Sequence, residues 1–174
     1  MAKIKLNAAS GGGSVAIEGP ASLASDKVIK FPASPSMVVQ VVQQTSTTMA
    51  TSTSSTYATT GLEASITPSS TSSKVLIKMV SPMTGFAGGV DNQRGSLKVY
   101  RGGASGTSIS GRLSTWYSED DFYGDAVITF LDSPSTTSST TYTIMMARHS
   151  GSGTYSFNRD GAQTATLILM EIAG

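Results

Sequence analysis

The chain contains no cysteine, which excludes disulfides, thiolate catalysis and cysteine-based zinc sites together. It has one histidine, His149, in the stretch ARHSGSG. A single imidazole makes no histidine-type metal site, and a Ser-His-Asp triad built on it has no GxSxG context. Next to a glycine turn, His149 reads as a loop residue. Charge is scarce too: 13% of residues are charged, against about 25% in average soluble domains. With a net charge of +1 and no basic block, the chain offers no electrostatic footprint for nucleic acid or an anionic membrane surface. No apolar run approaches the roughly 18 residues that would suggest membrane insertion. The opening MAKIKLNAASGGG has neither an apolar h-region nor a cleavage pattern, so a soluble chain made in the cytosol is expected.

Helix signals are nearly absent, because no window of a dozen residues carries apolar positions at three- and four-residue spacing free of Gly, Pro or dense Ser/Thr. Strand signals fill the space. KIKL, SVAIE and KVIKF in residues 3–31 are short alternating runs separated by Gly, Pro and Ser, each too brief to build a core. Residues 1–36 therefore read as an extended β arm that needs a pairing partner. From Met37 the runs lengthen through MVVQVVQQ, KVLIKMV, GSLKVY, DAVITFL, TTYTIMMA and QTATLILMEI. Such strands, punctuated by Gly/Pro/Ser turns, are the pattern of an antiparallel β-sandwich or jelly roll. Residues 37–174 form that expected head. The regular β-branched alternation also separates the Ser/Thr-rich tracts from a mucin-like disordered stalk.

Two stretches say nearly the same thing. ITPSSTSSKVLIKM at 66–79 and DSPSTTSSTTYTIM at 132–145 share Pro68/Pro134, Ser69/Ser135, Thr71/Thr137, Ser72/Ser138, Ser73/Ser139 and Met79/Met145. In each, proline ends one strand, a hydroxyl run turns the chain, and an alternating segment opens the next strand. The expectation is a shared β-corner, with strands beginning near residues 74 and 140. The last run, ATLILMEIA, is apolar on both alternating faces, unlike a half-solvated antiparallel strand. Its second face is expected to meet a second copy or another segment of the chain. Leu167, Ile168, Leu169, Met170 and Ile172 are the candidate subunit-interface residues.

The densest polar-aromatic constellation is STWYSEDDFYGD at 114–125. Trp116, Tyr117, Phe122 and Tyr123 supply flat apolar faces for a sugar ring, while Glu119, Asp120, Asp121 and Asp125 can accept hydroxyl hydrogen bonds. These eight are the candidate receptor- or glycan-binding residues. The competing reading is a hairpin whose aromatics plug the sandwich end while the acids face water. The carboxylates do not follow EF-hand spacing, and adjacency in sequence does not make a glycosidase acid pair. SGGGS and RGGASG end in no Lys-Ser/Thr and open no helix, so they are linkers and turns. No catalytic residue, metal or cofactor is expected.

These residues carry a resemblance. KIKLNAASGGGSVAIEGPASLASDKVIKFPAS, TGLEASITPSSTSSKVLIKM, VITFLDSPSTTSSTTYTIMM and the closing ATLILMEIAG resemble bacteriophage tail-fibre and virion-surface structural proteins of the marine tailed-phage type. The resemblance leaves out the middle segment from about 82 to 124. It implies a homotrimer of β-sandwich or jelly-roll heads, with the final strand near the threefold axis. It also implies attachment through residues 1–36 to other virion proteins, and a virion assembled in the host cytoplasm and released by lysis. The expected function is a non-enzymatic tail fibre or fibre tip contacting a host-surface receptor such as a glycan. A capsid decoration protein is the alternative, and a glycan depolymerase is less favoured.

Overall fold

The computed structural model describes the backbone of residues 3–7, 14–18, 37–88, 92–117, 122–161 and 163–174, and the side chains of 37–88, 92–113, 122–161 and 163–174. The chain divides into two compact units, Met1–Ala33 and Ser34–Gly174. In the first, β1 (Lys3–Asn7) and β2 (Ser14–Glu18) form an antiparallel pair with Ile4 opposite Ile17. The expected KVIKF strand lies outside the described residues.

The second unit is built of strands: β3 (Val38–Ser46), β4 (Ala50–Ser52), β5 (Ala58–Ile66), β6 (Lys74–Ala87), β7 (Gln93–Arg101), β8 (Thr107–Ser108), β9 (Leu113–Tyr117), β10 (Phe122–Asp132), β11 (Thr140–Ser150), β12 (Thr154–Phe157) and β13 (Ala165–Ile172). One sheet runs β3-β13-β6, with β10 also paired to β6, and the short β12 and β4 extend it beside the far half of β6. The other runs β5-β11-β7, with β9 and the two-residue β8 both paired to β7. The long pairs are nested: β3 with β13, β5 with β11, β6 with β10, and β7 with β9, all antiparallel. A single long hairpin rolled so that successive strand pairs alternate between two sheets gives this order. It is the eight-stranded jelly roll.

Alternation decides which side chains enter the core. Leu62, Ala64 and Ile66 of β5 are buried while Gly61, Glu63 and Ser65 face out; on β6 it is Val75, Ile77 and Met79 that point inward. Leu97 and Val99 of β7, Ile144 and Met146 of β11, and Phe86, Tyr155 and Phe157 join them in the interior. Burying each large side chain contributes about 1.5–3 kcal/mol. Gly95 is required by this packing, since a Cβ there would lie 2.3 Å from the Tyr155 ring.

The two look-alike stretches are the two corners, residues 67–73 and 133–139, each carrying the chain from one sheet to the other. Their following strands begin at Lys74 and Thr140, as expected. Because β5 pairs with β11 and β6 with β10, Ile66 opposes Thr140 and Val75 opposes Asp132, so the corners connect the same two strand pairs in opposite directions. Both make the same hydroxyl turn at the equivalent position. Ser72 N–H donates to Ser70 Oγ at 3.2 Å, and Ser138 N–H to Thr136 Oγ1 at 3.0 Å, side-chain acceptors that support a turn; the first corner is also closed by Ser73 N–H to the Ser70 carbonyl at 3.2 Å.

A buried carboxylate lies beside each corner. Glu171 Oε1 accepts from Ser69 N–H at 2.7 Å and Ser69 Oγ at 2.6 Å, and Oε2 accepts from Gln40 Nε2 at 2.6 Å. Burial pushes its pKa up, but hydrogen bonds from Ser69, Gln40 and Ser73 overrule that and hold it at about 2. Asp132, just before the second corner, accepts from Arg101 Nη1 at 2.9 Å and Tyr142 Oη at 2.8 Å. Burial, and then the hydrogen bond to Asp132, push the Tyr142 phenol far above its ordinary value.

Candidate functional site

The outer face of β3, β13, β6 and β10 follows from the same alternation that fills the core. Facing out on β13 are Thr166, Ile168, Met170 and Ile172, all half-buried. Leu167 and Leu169 are fully buried in the sandwich core; their phase along β13 turns them inward, so they are unable to serve as the expected subunit contacts. The register lines up Val41, Met170, Leu76 and Leu131 as one apolar row across four strands. A second row reads Gln43, Ile168, Lys78, Thr129, and a third Thr45, Thr166, Val80, Val127. Val41 is 57% exposed, Val127 53%, Leu131 49% and Val80 42%, although alternate positions of a solvated sheet face are ordinarily polar. Strands about 4.8 Å apart make this face roughly 15–19 Å wide.

The constellation at 114–125 straddles two strands. Trp116 and Tyr117 lie on β9, paired in the ladder with Arg94 and Gln93, while their side chains, and Glu119, Asp120 and Asp121 entirely, lie outside the described residues. Phe122 and Tyr123 open β10 opposite Phe86 and Gly85 and are half-buried. The Arg159 guanidinium lies 4.2 Å from the Tyr123 ring centroid, a favourable cation–π geometry. Asp125 is exposed at the irregularity where the register shifts between Gly124 and Ala126. The three described members are thus strand residues rather than parts of a loop. No group of three or more potential metal ligands occurs among the described residues.

His149 is placed differently from expectation: it lies within β11, where the register steps from Arg148 opposite Gly95 to Ser150 opposite Arg94. It is the extra residue of a β-bulge, a device that re-aims a side chain. His149 Nε2 lies 2.6 Å from Ser96 Oγ and 3.3 Å from Tyr57 Oη, and the two hydroxyls are 2.7 Å apart. Around this knot Lys98 Nζ sits 4.9 Å from the Tyr57 ring centroid and the Tyr100 ring 6.2 Å from it. Burial, then the charges of Arg112 and Lys98, lower the pKa of His149. Ser96 is completely buried, so this Ser-His pair presents no nucleophile to a substrate. Nothing in the sequence joins Tyr57, Ser96 and His149, which come from three distant segments; only the nested strand order brings them together.

An open groove of about 260 Å³ lies along β10, lined by Ser110, Gly111, Arg112, Leu113 and Val127–Phe130.

The strand order defines a jelly-roll protein, an architecture found in viral capsid and lectin domains among others. No family model and no curated protein matches the sequence. Solved structures similar to this chain include the VP2 subviral particle of infectious bursal disease virus, at 13% identity and a TM-score of 0.43 over 92% of this chain and 49% of that one. The T13 particle of the same virus aligns at 14% identity and a TM-score of 0.34, over 92% and 43%. The D431N VP2 mutant in T=1 particles aligns at 15% and 0.32, over 97% and 46%. The chain spans about half the length of these proteins.

Proposed function

We propose that this chain is a non-enzymatic structural protein of a virion, a tail fibre or fibre-tip component whose heads associate as a homotrimer through the outer face of β3, β13, β6 and β10. Residues 1–36 attach it to other virion proteins, and the head meets a host-surface receptor such as a glycan. The observation that carries this reading is the apolar row Val41, Met170, Leu76 and Leu131 across four strands. An apolar patch of that continuity marks an association surface rather than a solvated one, and closed symmetric assembly is the economical way to cover it. The resemblance to phage virion proteins supports the same reading and implies assembly in the host cytoplasm and release by lysis.

Sedimentation equilibrium at micromolar concentration tests the assembly: a trimer mass is expected, and a monomer would sink the model. Counting copies per virion by quantitative mass spectrometry tests the placement. A handful of trimers fits a fibre, whereas scores to hundreds of chains would make it a capsid decoration protein, to which the jelly-roll architecture is equally suited.

A further inference from the structure

We infer that the outer face of the β5-β11-β7-β9 sheet carries a binding site for an anionic saccharide, built from Lys98, Tyr100, Arg112 and His149 around Tyr57. The inference rests on the host-contact reading and centres the contact on these residues rather than on the 114–125 constellation, whose Trp116 belongs to the same sheet through β9.

The two outer faces of the sandwich differ in character. Where the β3-β13-β6-β10 face sets the row Val41, Met170, Leu76 and Leu131 beside Gln43, Lys78 and Thr129, this one carries Arg94, Ser96, Lys98 and Tyr100 on successive outward positions of β7. Arg112 precedes Leu113, which pairs with Leu97, so the ladder continues to put Arg112 level with Lys98. In a chain with only 13% charged residues, that is a local concentration of cations. Glu63 is the one carboxylate among the described strand residues of this face, and it is engaged by Thr143 Oγ1 at 2.9 Å. Among the described residues neither Lys98 nor Arg112 has a carboxylate partner, whereas Arg101 is paired with Asp132.

Tyr57 is the strut of the site. Its hydroxyl is fixed by Ser96 and His149, and its ring supports the Lys98 ammonium and the Tyr100 ring. Tyr100 is half-buried, and its ring is the aromatic partner this site offers to the apolar face of a sugar. A ring platform beside ammonium and guanidinium donors is matched by a hexose bearing a carboxylate or sulfate. A neutral sugar would leave Lys98 and Arg112 without an anionic partner.

Isothermal titration of the full chain with three probes tests the site: oligogalacturonate for carboxylate, dextran sulfate for sulfate, and neutral dextran. At least one charged probe is expected to bind and dextran is not; which of the two binds identifies the anion. The double variant Lys98→Ala/Arg112→Ala is expected to lose about tenfold or more in affinity with an unchanged circular dichroism spectrum. Failure of both charged probes, or a Lys98→Ala/Arg112→Ala variant that binds as tightly as the parent, overturns the proposal. Virions that carry Lys98→Ala/Arg112→Ala, assemble normally and still adsorb to cells would also overturn it, while leaving the structural role standing.

Discussion

A carboxylate shut away from water stays ionised only where donors converge on it, and Glu171 meets that condition through Ser69 and Gln40. Its folded pKa of about 2 lies below the ordinary 4.5. The unfolded chain therefore takes up the proton first as pH falls, so the stabilisation is complete above about pH 4.5 and drains away toward pH 2. Glu171→Gln is expected to flatten the dependence of melting temperature on pH in that window. A variant that keeps the parental acid slope would show that some other carboxylate controls it. Asp132 poses the related question of what its phenol donor contributes. Tyr142→Phe keeps the ring in the core and removes the bond to Asp132 Oδ2, so a loss of about 1.5–3 kcal/mol is expected from hydrogen bonding to a charged group. Chemical denaturation reads this directly, and a loss below about 0.5 kcal/mol would mean Arg101 alone satisfies the carboxylate.

At the scale of elements, the repeated corner explains why strand positions were readable while strand partners were not. Proline, a hydroxyl turn and a β-branched run are local signals, and Lys74 and Thr140 open β6 and β11 where those signals put them. Pairing β3 with β13 joins residues over a hundred positions apart, and no local signal selects that partner. The doubly apolar β13 announced two buried faces, yet its sequence could not tell which was the core, so Leu167 and Leu169 were expected at a subunit boundary when they fill the interior. His149 was hidden for a similar reason: a bulge in β11 is visible only against the register of β7. The two corners are alike in turn but unlike in anchoring. Ser69 holds Glu171, whereas the matching Ser135 sits at φ 53°, a left-handed conformation that glycine adopts without strain. Ser69→Ala is thus expected to cost about 1 kcal/mol, and Ser135→Gly to be neutral or slightly stabilising. Equal costs in thermal unfolding would deny the asymmetry.

Over the whole molecule, the jelly roll separates two surfaces that a single sheet could not keep apart: one on β3, β13, β6 and β10 with an exposed apolar row, and a cationic, tyrosine-bearing one on the opposite sheet. Met170 and Leu169 are neighbours in sequence, yet one sits half-exposed in the middle of the apolar row and the other is sealed in the core. That contrast discriminates assembly from folding. Met170→Lys places an ammonium on the surface of an isolated head, where it can reach water, but in the middle of a subunit contact it is desolvated and unpaired. The expected result is a folded protein whose association weakens about thirtyfold or more, seen as a shift from trimer to monomer in sedimentation with an intact circular dichroism spectrum. Leu169→Lys puts the same charge into the sandwich interior and is expected to unfold the head at any concentration. A Met170→Lys protein that sediments like the parent would show that the apolar row is not where the copies meet.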